Sequence, residues 1–172
     1  MATRHHNISG ELTTEILASG EDINVTSIAL TNVQKVSKCK VDLFIKKPTT
    51  GRFYILKGVE LPIGTTLIHD ISFSNREGDF GLFIKLTDGA SFELTGDINP
   101  GNSTTTVPGS SGTVFLSEIS IGDEIEVTGE TKTVTNITAD NSLVVNTTFS
   151  TDLATDTTPT CNPTALVDVI LT

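Results

Sequence analysis

Three histidines, two cysteines, one pair of adjacent carboxylates and one run of cations are the groups in this chain whose types and spacing could do chemistry. His5 and His6 lie side by side in what reads as a polar N-terminal tail and His69 falls in a strand-like segment, so a shared metal site would need unrelated segments to converge with hydrogen bonds supporting each ligand. A threefold axis gathering three copies of His5 or His6 is the one arrangement that would give them an ion to hold. Cys39 and Cys161 have neither a CxxC spacing nor a neighbouring histidine, which removes a zinc or redox motif and leaves either two free thiols or one long-range disulfide. Asp123 and Glu124 are adjacent on a strand, point to opposite faces, and read as a solvated turn rather than an acid and a base. No Gly-x-Ser-x-Gly elbow is present, since Gly109-Ser110-Ser111-Gly112 has the wrong spacing, and neither a P-loop nor a dinucleotide fingerprint occurs. General acid–base chemistry needs converging groups in a cleft. The expectation is a protein that is not an enzyme, with no catalytic residues, no cofactor and no metal.

The run of cations is the remaining candidate. Lys35, Lys38, Lys40, Lys46, Lys47, Arg52 and Lys57 stand against a single acid, Asp42, within residues 35–57. Alternation puts several of these lysines on the solvent side of strands, where lysine also guards sheet edges against aggregation. As a binding region they suit an anionic protein surface better than nucleic acid. Net charge is −10, and residues 101–172 hold one Lys or Arg against nine Asp and Glu, whereas residues 1–100 hold ten against twelve. A segment that anionic is repelled by phosphate backbones, whose affinity for proteins comes largely from counterions released by Lys and Arg.

The elements that must position these groups are strands. Ile28 and Leu30 alternate with small and polar residues over 24–32; Val41, Leu43 and Ile45 alternate with Asp42 and Lys46; Arg52 to Val59 is aromatic and β-branched. Pro48 to Gly51, Leu61 to Thr66 and Asn75 to Asp79 are turn-rich, and strands over 67–71 and 80–86 follow them. Gly, Pro and Asn interrupt almost every window long enough for a helix, the best candidate being Glu11 to Ser19. Strands are further expected from Thr113 to Leu116, over 119–127, 132–137 and 143–145, and over 165–171. No apolar run reaches the length of about 20 residues that a membrane span needs, and the opening MATRHHNISGELTTE has no signal-peptide core.

The fold expected is all-β: an antiparallel β-sandwich over 1–107 plus 163–172, with an inserted small, acidic, β-barrel-like module over 113–158. Residues 95–112 and 151–163, rich in Gly, Pro, Ser, Thr and Asn, are expected to be linkers. The last strand follows the second linker and is expected to return to the sandwich, which would bring both ends of the insertion together.

Three stretches carry a resemblance: MATRHHNISGELTTEILASGEDINVTSIALTN, then GRFYILKGVELPIGTTLIHD with FGLFIKLTD, and SEISIGDEIEVTGETKTVTNITADNSLVVNTTFS. In these the chain resembles small virion proteins of tailed bacteriophages, particularly T4-like phages of cyanobacteria. The resemblance implies a virion component assembled in the host cytoplasm, whose partners are other phage structural proteins such as the major capsid protein or tail proteins. A capsid decoration protein is the role expected, with a tail, neck or fibre component and a host-surface carbohydrate-binding module as alternatives. Trimers or other homo-oligomers are expected by analogy with such proteins, and no site residue is carried over. Low aromatic content, with Tyr54 the one tyrosine and no tryptophan, counts against the sugar binder.

Overall fold

The period-two pattern of the sequence becomes strands that bury alternate side chains between two sheets. The computed structural model describes residues 3–47, 49, 51–75, 80–150 and 157–172. The chain divides into two compact units, Met1–Asp88 with Ala165–Thr172, and Gly89–Thr164.

The first unit is a sandwich of two four-stranded antiparallel sheets. Strands β1 (Arg4–Ser9), β3 (Asn24–Asn32), β6 (Thr66–Ser74) and β14 (Leu166–Leu171) form one sheet in the order β1-β14-β3-β6. Strands β2 (Thr14–Leu17), β4 (Cys39–Lys46), β5 (Arg52–Leu61) and β7 (Gly81–Thr87) form the other in the order β2-β7-β4-β5. Ile28, Leu30, Val167 and Val169 face Val41, Leu43, Ile84 and Leu86 across one core, in which the large residues are aliphatic and only Phe73 adds an aromatic ring, from its margin. The final strand lies at the centre of the first sheet, between β1 and β3. Two buried amides hold the corners. Asn32 donates to the carbonyls of Ser37 and Leu61, each at 3.0 Å, and Asn75 donates to Ala18 O at 2.6 Å while accepting from Ile23 N at 2.9 Å.

Two local expectations fail here for one reason. The segment expected as the best helix, Glu11 to Ser19, contains β2, and the polar N-terminal stretch contains β1, which pairs with β14 over all six of its residues. A short segment with few apolar residues takes strand form when a neighbouring strand supplies its hydrogen bonds and its two apolar residues, Ile16 and Leu17, reach the core. The expected turns at Pro48 to Gly51 and Asn75 to Asp79 lie largely outside the described residues.

The second unit contains β8 (Phe92–Glu93), β9 (Thr106–Pro108), one helical turn α1 (Phe115–Glu118), β10 (Glu124–Val127), β11 (Glu130–Ala139), β12 (Ser142–Val145) and β13 (Thr160–Asn162). The strands make one antiparallel sheet, β8-β13-β10-β11-β12-β9, around a core containing Phe115, Phe149, Ile125, Val134 and Leu143. No ladder joins β8 to β9 among the described residues, so the sheet is not a closed barrel, although single bridges tie Ile98 to Gly109 and to Thr157.

The expected linkers belong to this unit. Residues 95–112 supply β9 and the bridging Ile98, and a Cβ on Gly109 would stand 2.8 Å from the Phe115 ring, so the glycine there permits close packing rather than flexibility. Within the stretch expected as the second linker, 157–163 supplies β13, while 151–156 lies outside the described residues. The boundaries therefore fall at 88/89 and 164/165, not near 107/113 and 158/163. Composition misleads here because small polar residues serve as well in short, partly exposed strands as in loops. Thr113 to Leu116, expected as a strand, leads into α1 instead, with Phe115 fully buried. In the first unit, Ala165 N donates to Asp88 Oδ1 at 2.6 Å, which ties together the two points where the chain leaves and rejoins the sandwich.

Candidate functional site

Strand parity decides which residues of β4 leave the core. Val41 and Leu43 point inward, so Lys40, Asp42, Phe44 and Lys46 occupy the outer face of the sheet β2-β7-β4-β5. Pairing adds their neighbours. Phe44 lies opposite Tyr54 of β5 and Phe83 of β7, Lys46 lies opposite Arg52 and Gly81, and Asp42 lies opposite Lys85. The result is an aromatic row across three strands, Tyr54–Phe44–Phe83, with cations on both sides of it.

Ring geometry shows the row packed as a unit. Phe44 and Phe83 stack at 5.8 Å with planes 10° apart, and Tyr54 tilts at 54° with its centroid 5.5 Å from that of Phe44. The Arg52 guanidinium sits 4.7 Å from the Phe44 centroid, and the Lys57 ammonium sits 5.0 Å from that of Tyr54. These are cation–π distances, which fix long side chains that would otherwise be mobile. Phe44 is consequently 0% exposed although it points away from the core, while Tyr54 remains 40% exposed. At the end of the hairpin, Phe53 meets Phe80 edge-on at 6.0 Å and Lys47 lies 4.5 Å over the Phe80 ring.

The acids nearby leave the cations available. Asp42 accepts the Gly58 N–H at 2.7 Å, at a bulge where Gly58 has φ +61°, a conformation that favours glycine. Lys38 pairs with Glu60 at 3.0 Å, but Lys40, Lys46, Arg52, Lys57 and Lys85 form no ion pair among the described residues.

The basic run of the sequence is therefore split by the fold. Lys46, Arg52 and Lys57 gather around the aromatic row, and Lys47 sits beside it. Lys40 shares the face from the other end of β4, four residues or about 13 Å from Phe44 at the rise of an extended strand. Lys35 and Lys38 precede β4 and lie beyond that end. Sequence reasoning missed Phe44, Phe83 and Lys85 as members of this face. Parity was the available signal, because Phe44 shares its spacing with Asp42 and Lys46 rather than with Leu43 and Ile45.

The remaining candidates disperse. Among the described residues no three His, Cys, Asp or Glu groups are placed to hold a metal ion. His5 and His6 alternate across β1, opposite Ile170 and Val169, and His69 lies on β6 opposite Ile28. Cys39 and Cys161 are free thiols, one in the core of each unit, so the open question of a disulfide is settled against it. Burial pushes Cys39 up to about 11 and Cys161 up to about 12, with Asp88 adding to the first and Asp123 and Glu118 to the second, so neither is a thiolate near neutral pH. Asp123 is not a solvated turn residue. It is fully buried, and its carboxylate accepts Ser120 N at 2.7 Å and Thr164 N at 2.9 Å, anchoring the chain as it leaves the second unit. Glu124, its neighbour, is exposed on the opposite face.

Charge separates with the fold. The first unit holds ten Lys and Arg against eleven Asp and Glu, and the second holds one against ten. That one, Lys132, pairs with Glu130 at 2.6 Å and packs near Phe149. No described helix is long and apolar enough to cross a membrane. In comparisons with known proteins, no family model, no curated protein and no solved structure matches the chain.

Proposed function

We propose that this chain is a non-enzymatic structural protein of a tailed-phage particle, a capsid decoration protein whose sandwich docks on an anionic protein surface of the shell. The observation that carries the reading is the aromatic row Tyr54–Phe44–Phe83 with Arg52 and Lys57 laid over it, on a sheet face outside the core. Tyr and Arg are the residue types that dominate the energetics of protein interfaces, and here both are held in place before any partner arrives. Rigid strands support the face, which lowers the entropy lost on docking.

Nucleic acid is the poorer partner for this protein as a whole, since a second unit with one cation against ten acids is repelled by phosphate. A sugar platform is also the poorer reading, because Tyr54 is overlaid by Lys57 and packed on Phe44. The resemblance to small virion proteins supports a place in the particle, where many weak copies stabilise a shell by multivalency. Particle assembly in the host cytoplasm and homo-oligomers, trimers included, belong to the same proposal.

The test is to mix purified protein with capsids stripped of it and to count bound copies by electron microscopy. Hundreds of copies spread over the shell are expected. A handful at one vertex or along the tail would reassign the protein to the neck, tail or fibre, and no binding to any part of the particle would overturn the reading.

A further inference from the structure

The second unit presents a sheet face that complements the cationic face of the first. Ile125 points into its core, so Glu124 and Glu126 stand on the outer side of β10. Glu126 pairs with Thr131 on one side and Thr160 on the other, and Thr160 in turn pairs with Glu93 of β8. Glu124 lies between Thr133 and Asn162. This outer face is a carpet of short Thr and Asn side chains from which glutamates rise. Glu93, Glu124 and Glu126 form no ion pair among the described residues, and the unit's one cation, Lys132, is occupied by Glu130 on the core side of the sheet.

We infer that the anionic protein surface of the shell taken by the face around Arg52 and Tyr54 is this glutamate face on a second copy of the chain bound beside it on the shell. The inference rests on the reading above that the aromatic and cationic face docks an anionic protein surface, and it names that partner.

Two features of the molecule support a second copy. Charge is complementary, since among the described residues Lys46, Arg52 and Lys57 on one face and Glu93, Glu124 and Glu126 on the other form no ion pair, so each set satisfies the other and like-charged alternatives are rejected. Relief is complementary as well. Long Lys, Arg and Tyr side chains on the first face meet short Thr and Asn on the second, and both faces repeat at the same sheet spacings, about 6.8 Å along a strand and about 4.8 Å between strands. The contact is heterologous, using different patches on the two copies, so every copy keeps one face of each kind to offer to the next. A decoration protein linked in this way would bridge neighbours on the shell.

The experiment uses the full-length protein in sedimentation velocity at low and at high salt. Association is expected at low ionic strength and is expected to weaken at least about tenfold in 0.5 M salt, where exposed charges are screened within about 4–5 Å. Two double variants separate the faces: Lys46→Glu with Arg52→Glu, and Glu124→Lys with Glu126→Lys. All four positions lie on outer sheet faces, and Tyr54 fluorescence with circular dichroism reports whether the fold is retained. Each variant alone is expected to be a monomer, and an equimolar mixture is expected to associate again. Wild-type protein that stays monomeric at low salt, or association that survives both double variants, overturns the inference. Capsid binding distinguishes its failure from that of the reading beneath it. A monomeric wild type that loses capsid binding on Lys46→Glu with Arg52→Glu leaves the docking face intact and makes its partner the shell. Capsid binding unchanged by that variant counts against the docking face itself.

Discussion

The two units place their aromatic residues on opposite sides of their sheets. In the second unit Phe115 and Phe149 are core residues and Phe92 packs against them. In the first unit only Phe73 touches the core, and Phe44, Phe53, Tyr54, Phe80 and Phe83 cluster outside it. The difference follows from layer architecture. Two stacked four-stranded sheets fill the roughly 10 Å between them with interdigitating aliphatic side chains. A single sheet with one helical turn against it needs larger side chains to close its interior. Nothing in the core of the sandwich calls for an aromatic row on its outer face, and that is the ground on which a partner is proposed for it.

Truncating one aromatic in each unit should break the comparison most sharply. Phe115→Ala removes a fully buried ring and is expected to destabilise the second unit by about 3–5 kcal/mol. Tyr54→Ala removes a 40% exposed ring from the outer row and is expected to cost the first unit about 1 kcal/mol, while weakening partner binding far more. In variants that keep Tyr54, the one tyrosine of a chain without tryptophan, its fluorescence reports the first unit. In Tyr54→Ala, amide exchange over β3 and β14 takes its place, and amide exchange over β10 to β12 reports the second unit in every variant. Equal losses of stability in the two variants would mean that the outer row serves the fold.

Asp123→Ala should give the next largest effect, since it leaves Ser120 N and Thr164 N without their acceptor. A loss of about 2–4 kcal/mol is expected in the second unit, with the Tyr54 unfolding midpoint unchanged. If that midpoint falls in parallel, the two units unfold together.

The smallest effect expected is a pH dependence of the second unit around Glu130. The Lys132 ammonium, with help from the Ser150 hydroxyl and amide, holds the Glu130 carboxyl down from its ordinary 4.5 to about 2. A carboxyl depressed in the folded state contributes stability above its unfolded value, and loses it as pH falls through the folded one. Protection of the β11 amides, taken relative to the intrinsic exchange rate at each pH, is therefore expected to fall between pH 4.5 and about 2, and Glu130→Gln is expected to flatten that part of the profile.

Much of the fold was legible in the sequence, and the failures have a physical pattern. Strands with clean alternation, such as Val41-Leu43-Ile45 and Val167-Val169-Leu171, declare themselves because one face must be buried. The return of β14 to the sandwich could be inferred because a strand that apolar must find a sheet. β1, β9 and β13 were hidden, since edge or short strands draw their order from partners distant in the chain and need few apolar residues of their own. The proposed docking face was half legible. Its cations were visible as a run, whereas its aromatic row is assembled from β4, β5 and β7 and exists only once their register is set.

The most direct test of the docking face is hydrogen exchange of the protein free and bound to capsids. β5 is the edge of its sheet, so the amides on its open side exchange readily in the free protein. The account predicts that binding slows exchange across β5, Arg52–Leu61, with β4 and β7 beneath it following. Protection confined to β1, β6 or the second unit, with β5 exchanging as in the free protein, would contradict it.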